Sequence, residues 1–302
     1  MTRRTILENP LFNIPAIAFG LCLAIALLSA LLGLGRPNVN VAIALDLSNS
    51  TGDLANFEQP GSVMFEEIAA VKAYLERSNT TLDRPNQIKV FGFAGQTEPL
   101  TESFKADPEA VETEMLAKLS DPTLAGRLET ERTDLNLAIT DATNALLQVS
   151  DRCRELLVVT DGKPSTPLDP SLLAQIVAQG IKIHSIFVGV APEDLAEAGQ
   201  MSLTTGGLSL ASEASELASS LQEKLFGSIN SNIKWIIFWL GMAWIALMWM
   251  VILPLDRWVF QGMFGLRIDM AGRAAVSHAL FWTTATLIAV WKFATIPFIK
   301  PC

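Results

Sequence analysis

Three long apolar runs, one near the start of the chain and two near its end, constrain the fold most strongly. They cover residues 14–35, 235–255 and 274–298, and the first two contain no charged side chain. A helix needs about 20 apolar residues to cross the core of a bilayer. We therefore expect three transmembrane helices around a central domain, with the chain divided at 1–36, 37–227 and 228–302.

The distribution of charge predicts an orientation for these helices. Residues 36–233 carry 14 Lys and Arg against 28 Asp and Glu, whereas the rest of the chain carries 8 against 3. Cytoplasmic loops of membrane proteins are enriched in Lys and Arg. Five of these 8 basic residues precede the first run or connect the second to the third: Arg3, Arg4, Arg257, Arg267 and Arg273. This pattern predicts a cytoplasmic N-terminus and an extracytoplasmic central domain, in the periplasm or its equivalent.

The first run is interpreted as an uncleaved anchor, because it exceeds the 7–15 apolar residues of a signal peptide. Its small residues Ala16, Gly20 and Ala24 form a stripe, which indicates either a face on which another helix packs or ordinary small-residue content. Trp244 falls near the middle of the second run, too deep for interfacial anchoring, which favours a packing contact between helices. Residues 256–273 mix apolar and basic side chains, as an interfacial amphipathic segment does.

The central domain alternates strand-like and helix-like segments. Continuous apolar strands separated by amphipathic helices are typical of a parallel sheet covered on both faces. We therefore predict an α/β domain with a doubly wound, mostly parallel, Rossmann-like sheet. The predicted strands are 41–45, 88–93, 155–160, 182–188 and, more weakly, 207–211; the predicted helices are 65–77, 108–119, 135–149, 171–179, 192–201 and 212–226.

The first strand ends in a pattern that favours metal binding. Asp46, Ser48 and Ser50 form the sequence D-x-S-x-S directly after this apolar run. In open α/β sheets, ligands bind beyond the carboxyl ends of the strands. Mg²⁺ takes oxygen ligands and needs few protein carboxylates, because it keeps several of its waters.

Two further loops carry residues that would complete such a site. Thr133 stands where the helix 135–149 begins, and Asp161 follows the strand 155–160 in the sequence Thr160-Asp161-Gly162. Each residue also has a simpler interpretation: Thr133 as the N-cap of the helix, and Asp161 as part of a solvated turn. The two interpretations remain open on the sequence alone.

Taken together, the three loops resemble those of the von Willebrand factor A (VWA) domain, over about residues 38–226. In that family the corresponding positions form a metal-ion-dependent adhesion site (MIDAS). The resemblance implies that Ser48, Ser50 and Thr133 offer hydroxyls to Mg²⁺, with Mn²⁺ and Ca²⁺ as alternatives. It also implies that Asp46 and Asp161 supply charge, mainly through water and hydrogen bonds. A cation held by few carboxylates stays electrophilic and accepts an acidic side chain from a partner.

This chain departs from the family pattern in two places. Glu131 and Arg132 precede Thr133, where the family often has glycine. This difference predicts a stiffer loop, or an arginine near the ligand. Asp53 and Glu58 lie between the first strand and the first helix of the domain. Either carboxylate is a candidate internal ligand that would close the metal site.

The arrangement of the chain, with one span before the A domain and two spans after it, also resembles the architecture of the bacterial Bat aerotolerance proteins. We therefore expect a membrane-anchored module that binds a protein partner through the metal and helps to assemble or regulate a membrane complex. The alternative is an integral structural subunit of a transport or energy-transducing complex, which contacts other subunits through its helices and in which the metal is incidental.

We expect neither catalysis nor nucleic-acid binding. The two histidines, His184 and His278, are far apart in the sequence, and no nucleophile–base set is evident. No Gly-rich phosphate-binding loop is present, and an acidic domain repels nucleic acid. His184 lies in an apolar strand and is interpreted as a buried residue with satisfied hydrogen bonds.

Overall fold

The structure is a computed structural model that describes residues 9–51, 54, 57–149, 151–161, 165–189 and 199–294. It divides into two compact units. One runs from Pro37 to Asn230, and the other combines Met1–Arg36 with Ser231–Cys302.

The helices and strands follow one another in the α/β order that the sequence predicts. In chain order they are α1 (Pro10–Leu32), β1 (Val39–Asp46), α2 (Val63–Thr81), β2 (Gln87–Phe93), β3 (Thr97–Pro99), α3 (Pro108–Leu119), α4 (Leu124–Leu128), α5 (Leu135–Leu147), β4 (Cys153–Thr160), α6 (Pro170–Ala178), β5 (Lys182–Val188), α7 (Gln200–Thr205), β6 (Ser209–Ser212), α8 (Ile233–Met250) and α9 (Ile268–Phe293). Short helical turns between Ala214 and Ile229 precede α8, and a π-helical segment, Leu255–Met263, precedes α9.

The central unit contains a six-stranded sheet in the order β3-β2-β1-β4-β5-β6. The β2–β3 pair is antiparallel and the other pairs are parallel. The predicted doubly wound, mostly parallel sheet is therefore confirmed. The sequence did not predict β3, because three residues ending in Pro99 are too few to show a periodic pattern. Most of the predicted helix 192–201 lies outside the described residues.

β1 is the centre of the sheet and is buried along its whole length. Alternate side chains of a strand point to opposite faces. Val41, Ile43 and Leu45 join the core that includes α2, whereas Ala42 and Ala44 join the core that includes α5. Because alanine is small, α5 packs directly against β1. Parallel strands buried on both faces account for the continuous apolar run in the sequence.

The other unit contains α1, α8 and α9, three helices long and apolar enough to cross a membrane. On α1 the buried positions are Cys22, Ala26 and Ser29, while Gly20 and Ala24 are exposed. The described helices of this chain therefore do not bury Gly20 and Ala24, and packing of another helix on this face stays a prediction. Small residues occur on both sides of α1, so their spacing alone does not identify the face that packs.

Two contacts made by tryptophan side chains join α8 to α9. The indole N–H of Trp249 donates a hydrogen bond to the Thr283 hydroxyl at 2.9 Å. The rings of Trp244 and Trp282 meet edge to face, with centroids 5.8 Å apart. Trp244 thus makes a helix–helix contact, as its position in the second run indicated.

Candidate metal centre

The site predicted from the sequence lies at the carboxyl end of the sheet, where the strand order reverses. Asp46 is the last residue of β1 and Thr160 is the last residue of β4. The chain leaves β1 for β2 on one side and later returns to β4 on the other. Doubly wound sheets bind ligands at such a switch point.

The Asp46 carboxylate is fully buried and is held by protein donors. Its Oδ1 accepts a hydrogen bond from the Ser48 N–H at 3.0 Å, and its Oδ2 accepts one from the Thr160 hydroxyl at 2.5 Å. The Thr51 hydroxyl closes the loop by donating to the carbonyl oxygens of Asp46 and Ser48. Asp46 therefore fixes the shape of the first loop and supplies negative charge beneath it.

A row of oxygen atoms leads from the first loop to the third. The Oγ atoms of Ser48 and Ser50 are 3.0 Å apart, and the Ser50 hydroxyl donates to Asp161 Oδ1 at 3.2 Å. Because Ser50 gives its proton to Asp161, Ser48 is the donor in the pair of serines. Ser48 is buried and Ser50 is exposed, so the row reaches from the sheet to the surface.

Thr133 is joined to the same site through its backbone. Its N–H donates to Ser165 Oγ, and its carbonyl oxygen accepts from the Ser165 N–H, both at 2.9 Å. The loop before Thr133 contacts the first loop as well, because the Asn49 N–H donates to the Thr130 carbonyl at 2.9 Å. The three predicted loops are thus connected in pairs.

Thr133 is not the N-cap of α5. Asp134 has that role, with its carboxylate accepting a hydrogen bond from the Leu137 N–H at 3.1 Å. The Thr133 hydroxyl has no hydrogen-bond partner among the described residues. It is therefore available to a ligand, which the interpretation as an N-cap did not allow.

Sequence reasoning missed one buried carboxyl group, that of Glu67. Glu67, on the second turn of α2, is 1% exposed. Burial raises the pKa of Glu67 well above its usual value, and the charges of Asp46 and Asp161 raise it further. Burial also raises the pKa of Asp161, with a second contribution from Asp46. No ion pair among the described residues involves these three groups.

A divalent cation fits this donor set. It would neutralise the carboxylates and accept the serine and threonine hydroxyl oxygens, a combination suited to a hard ion that retains some water. No three His, Cys, Asp or Glu side chains of the described residues approach closely enough to hold a metal by themselves.

The candidates for an internal ligand lie in different situations. Asp53 is outside the described residues, as is Gly162. Glu58 is exposed and borders a groove between α2 and α3 with Lys72 and Glu112. No described hydrogen bond joins Glu58 to the three loops. Glu131 and Arg132 are both exposed at the start of the Thr133 loop.

Both ring nitrogens of His184 make hydrogen bonds. Its Nδ1 accepts from the Leu208 N–H at 3.0 Å, which makes Nε2 the donor in the 2.9 Å contact to Glu155. Lys182 also pairs with Glu155, at 3.0 Å. This cluster satisfies a buried carboxylate on β4, and the ring has no free nitrogen to act as a base.

Neither a protein-family model nor a curated protein sequence matches the chain, but solved structures resemble it. BatB from Bacteroides thetaiotaomicron is 18% identical with a TM-score of 0.50, and the match covers 65% of this chain and 100% of that one. A von Willebrand factor type A protein from Catenulispora acidiphila is 17% identical with a TM-score of 0.46, and the match covers 64% of this chain and 43% of that one.

A third similar structure is proximal thread matrix protein 1 of the mussel byssus, whose MIDAS motif is occupied by zinc. It is 15% identical with a TM-score of 0.48, and the match covers 65% of this chain and 48% of that one. At such identities the likeness establishes the fold alone. This chain has the VWA fold, and its A domain is similar in structure to BatB.

Proposed function

We propose that this protein is a membrane-anchored VWA module that binds a protein partner through a divalent cation. Ser48, Ser50 and Thr133 would offer hydroxyl oxygens to the ion, and Asp46 and Asp161 would supply charge around it. The observation that carries the proposal is the pairwise connection of the three loops at the switch point of the sheet. Mg²⁺ is the proposed ion, with Mn²⁺ and Ca²⁺ as alternatives.

The partner would present a carboxylate. An ion held mainly by neutral hydroxyls keeps much of its charge, so an acidic side chain entering an open position is strongly attracted. The proposed role is binding and not catalysis. In support of this, both ring nitrogens of His184 are already engaged in hydrogen bonds. By the positive-inside rule, we propose that the A domain meets its partner outside the cytoplasm.

Metal binding is tested on the full chain in detergent by thermal denaturation with and without Mg²⁺ or Mn²⁺. An ion that binds only the folded protein raises the midpoint temperature. Thr133→Ala should remove most of this rise, because it deletes a hydroxyl that no described residue uses. Thr130→Ala makes the same change in the same loop and should leave the rise intact. A wild-type protein that shows no rise with either ion contradicts the proposal.

The second candidate function is that of a structural subunit in which the metal is incidental. The observation in its favour is Trp244, which lies in the middle of α8 and remains 42% exposed despite its contact with Trp282. Affinity purification in mild detergent separates the two candidates. A partner lost on chelation and with Thr133→Ala supports metal-dependent binding. A stoichiometric complex that survives both supports the structural subunit.

A further inference from the structure

Glu67 occupies a place in the core where a carboxyl group is costly. It belongs to the inward face of α2, on which Met64, Ile68 and Val71 join the hydrophobic core. Neither oxygen of Glu67 has a hydrogen-bond partner among the described residues. Burying a polar group without a hydrogen-bond partner is unfavourable, and burying a charged group without one is more so. An apolar residue at this position would avoid that cost.

Protonation alone does not satisfy Glu67. A neutral carboxylic acid carries an O–H that requires an acceptor and a carbonyl that requires a donor, and neither oxygen has one here. The neighbouring carboxylates increase the cost of ionising it: the charges of Asp46 and Asp161 both raise the pKa of Glu67. Leu45 and Leu47, which flank Asp46, belong to the same core cluster as Met64 and Ile68 on the buried face of α2 that carries Glu67. A cation at the candidate metal centre would reverse the sign of the electrostatic effect.

We propose that Glu67 is an additional carboxylate of the metal centre, which accepts a hydrogen bond from a water bound to the ion and thereby strengthens metal binding. This inference rests on the proposed metal-binding function. We assign Glu67 to a bound water and not to the ion itself, since no three His, Cys, Asp or Glu side chains of the described residues are grouped so as to hold a metal directly. Mg²⁺ keeps several waters when it binds to proteins, and those waters need acceptors.

A residue in this role orients and polarises the ion's own ligands. Removing such an outer partner of a metal site lowers metal affinity by about 10- to 100-fold. Glu67 is a positioning residue in this sense. If Glu67 had only a structural role, its substitution would not change the affinity for the ion, so metal affinity distinguishes the two roles.

The test is the affinity of the full chain for Mg²⁺ and Mn²⁺, measured by titration calorimetry in detergent at neutral pH. Glu67→Gln keeps the shape of the side chain and removes its charge, and we expect it to weaken binding about tenfold or more. Glu66→Gln is the matched control, since it removes the same charge one residue away on a partly exposed side chain. We expect the control to bind within about twofold of the wild type, as an outer charge exposed to solvent is screened.

A second variant separates a loss of metal affinity from a loss of folding. Glu67→Asp keeps the charge on a side chain one methylene shorter, and its affinity should lie between those of the wild type and Glu67→Gln. The midpoint temperature without metal shows whether each variant is folded. If the wild type binds and Glu67→Gln binds equally well, this inference fails while the proposed function stands. If the wild type binds neither ion, both fail.

Discussion

The first loop of the site owes its shape to two hydrogen bonds on a single buried carboxylate. Asp46 accepts one from the Ser48 amide and one from the Thr160 hydroxyl, which ties the ends of β1 and β4 together. Hydrogen bonds to charged groups contribute about 1.5–3 kcal/mol to stability, and a buried acceptor that loses its donor is costly. The Thr160 hydroxyl is therefore expected to matter even in the absence of metal.

Thr160→Val should lower the free energy of unfolding by about 1.5–3 kcal/mol. The matched control is Thr143→Val. Thr143 is also buried, but its hydroxyl has no hydrogen-bond partner among the described residues, so the control is expected to be neutral or slightly stabilising. Denaturation of the metal-free protein in detergent measures both variants. Equal effects of the two substitutions would contradict the assigned role of Thr160.

Because the pKa of Glu67 is raised, we expect the stability of the metal-free protein to depend on pH. Its pKa in the folded state lies well above the usual 4.5, so above that pH the folded state holds a proton that the unfolded chain releases. The free energy of unfolding therefore falls as the pH rises through the folded-state pKa of Glu67. Asp161, whose pKa is also raised, contributes with the same sign.

Glu67→Gln should reduce this slope and make the metal-free protein more stable than the wild type at about pH 8. Thermal denaturation with a chelator present, between about pH 5 and 8, measures the effect. Glu66→Gln should keep the wild-type slope. A slope that Glu67→Gln leaves unchanged would show that another group is responsible.

Most of the proposed site residues are recognisable in the sequence, because D-x-S-x-S and T-D-G have fixed spacings at strand ends. Glu67 was missed because it follows Glu66 on a helix, where adjacent acids usually face solvent. A signal was nevertheless present: Glu67 lies in the buried stripe that includes Met64, Val71 and Ser78. Asp134 was missed as the N-cap because two adjacent residues have capping side chains, and only the backbone conformation decides between them.

At the scale of elements, the contact of α8 with α9 depends on a polar bond within an apolar surface. The Trp249 indole donates to Thr283, whose own hydroxyl donates to the Ala279 carbonyl. Interhelical hydrogen bonds in membrane proteins contribute about 0.6 kcal/mol on average, because the separated helices also find partners. The bond is expected to orient the helices more than to hold them together.

A double-mutant cycle with Trp249→Phe and Thr283→Val should give a coupling energy of about 0.6 kcal/mol. Unfolding in detergent of the wild type, the two single variants and the double variant supplies the four free energies. Effects of the single variants that add without coupling would show that the bond contributes nothing in detergent.

The sequence predicted the elements well where they are long and less well where they are short or adjoin one another. β1 and α5 show clear apolar patterns, because each buries a complete face. β3 is too short for such a pattern. The face of α1 that is buried within this chain was not predicted, because small residues line more than one of its faces, and only the partner helix selects the face that packs.

At the scale of the whole molecule, the charge distribution predicts the side of the membrane on which each segment lies. Glu131, at the candidate metal centre, and Arg273, before the apolar part of α9, are both exposed. In a background without reactive native cysteines, Glu131→Cys should react with a membrane-impermeant maleimide in intact cells or spheroplasts. Arg273→Cys should react only after permeabilisation. The reverse pattern would place the A domain in the cytoplasm.

The pairwise bonds among the three loops also bear on how quickly an ion is captured. A cation arriving at this edge of the sheet meets oxygen atoms that are already held near one another, so few side chains remain to be ordered. The slow event is then the loss of water from the ion itself, and Mg²⁺ gives up its water reluctantly. The rate at which the site becomes ready for a partner would be set by the hydration chemistry of the cation, and not by a movement of the protein.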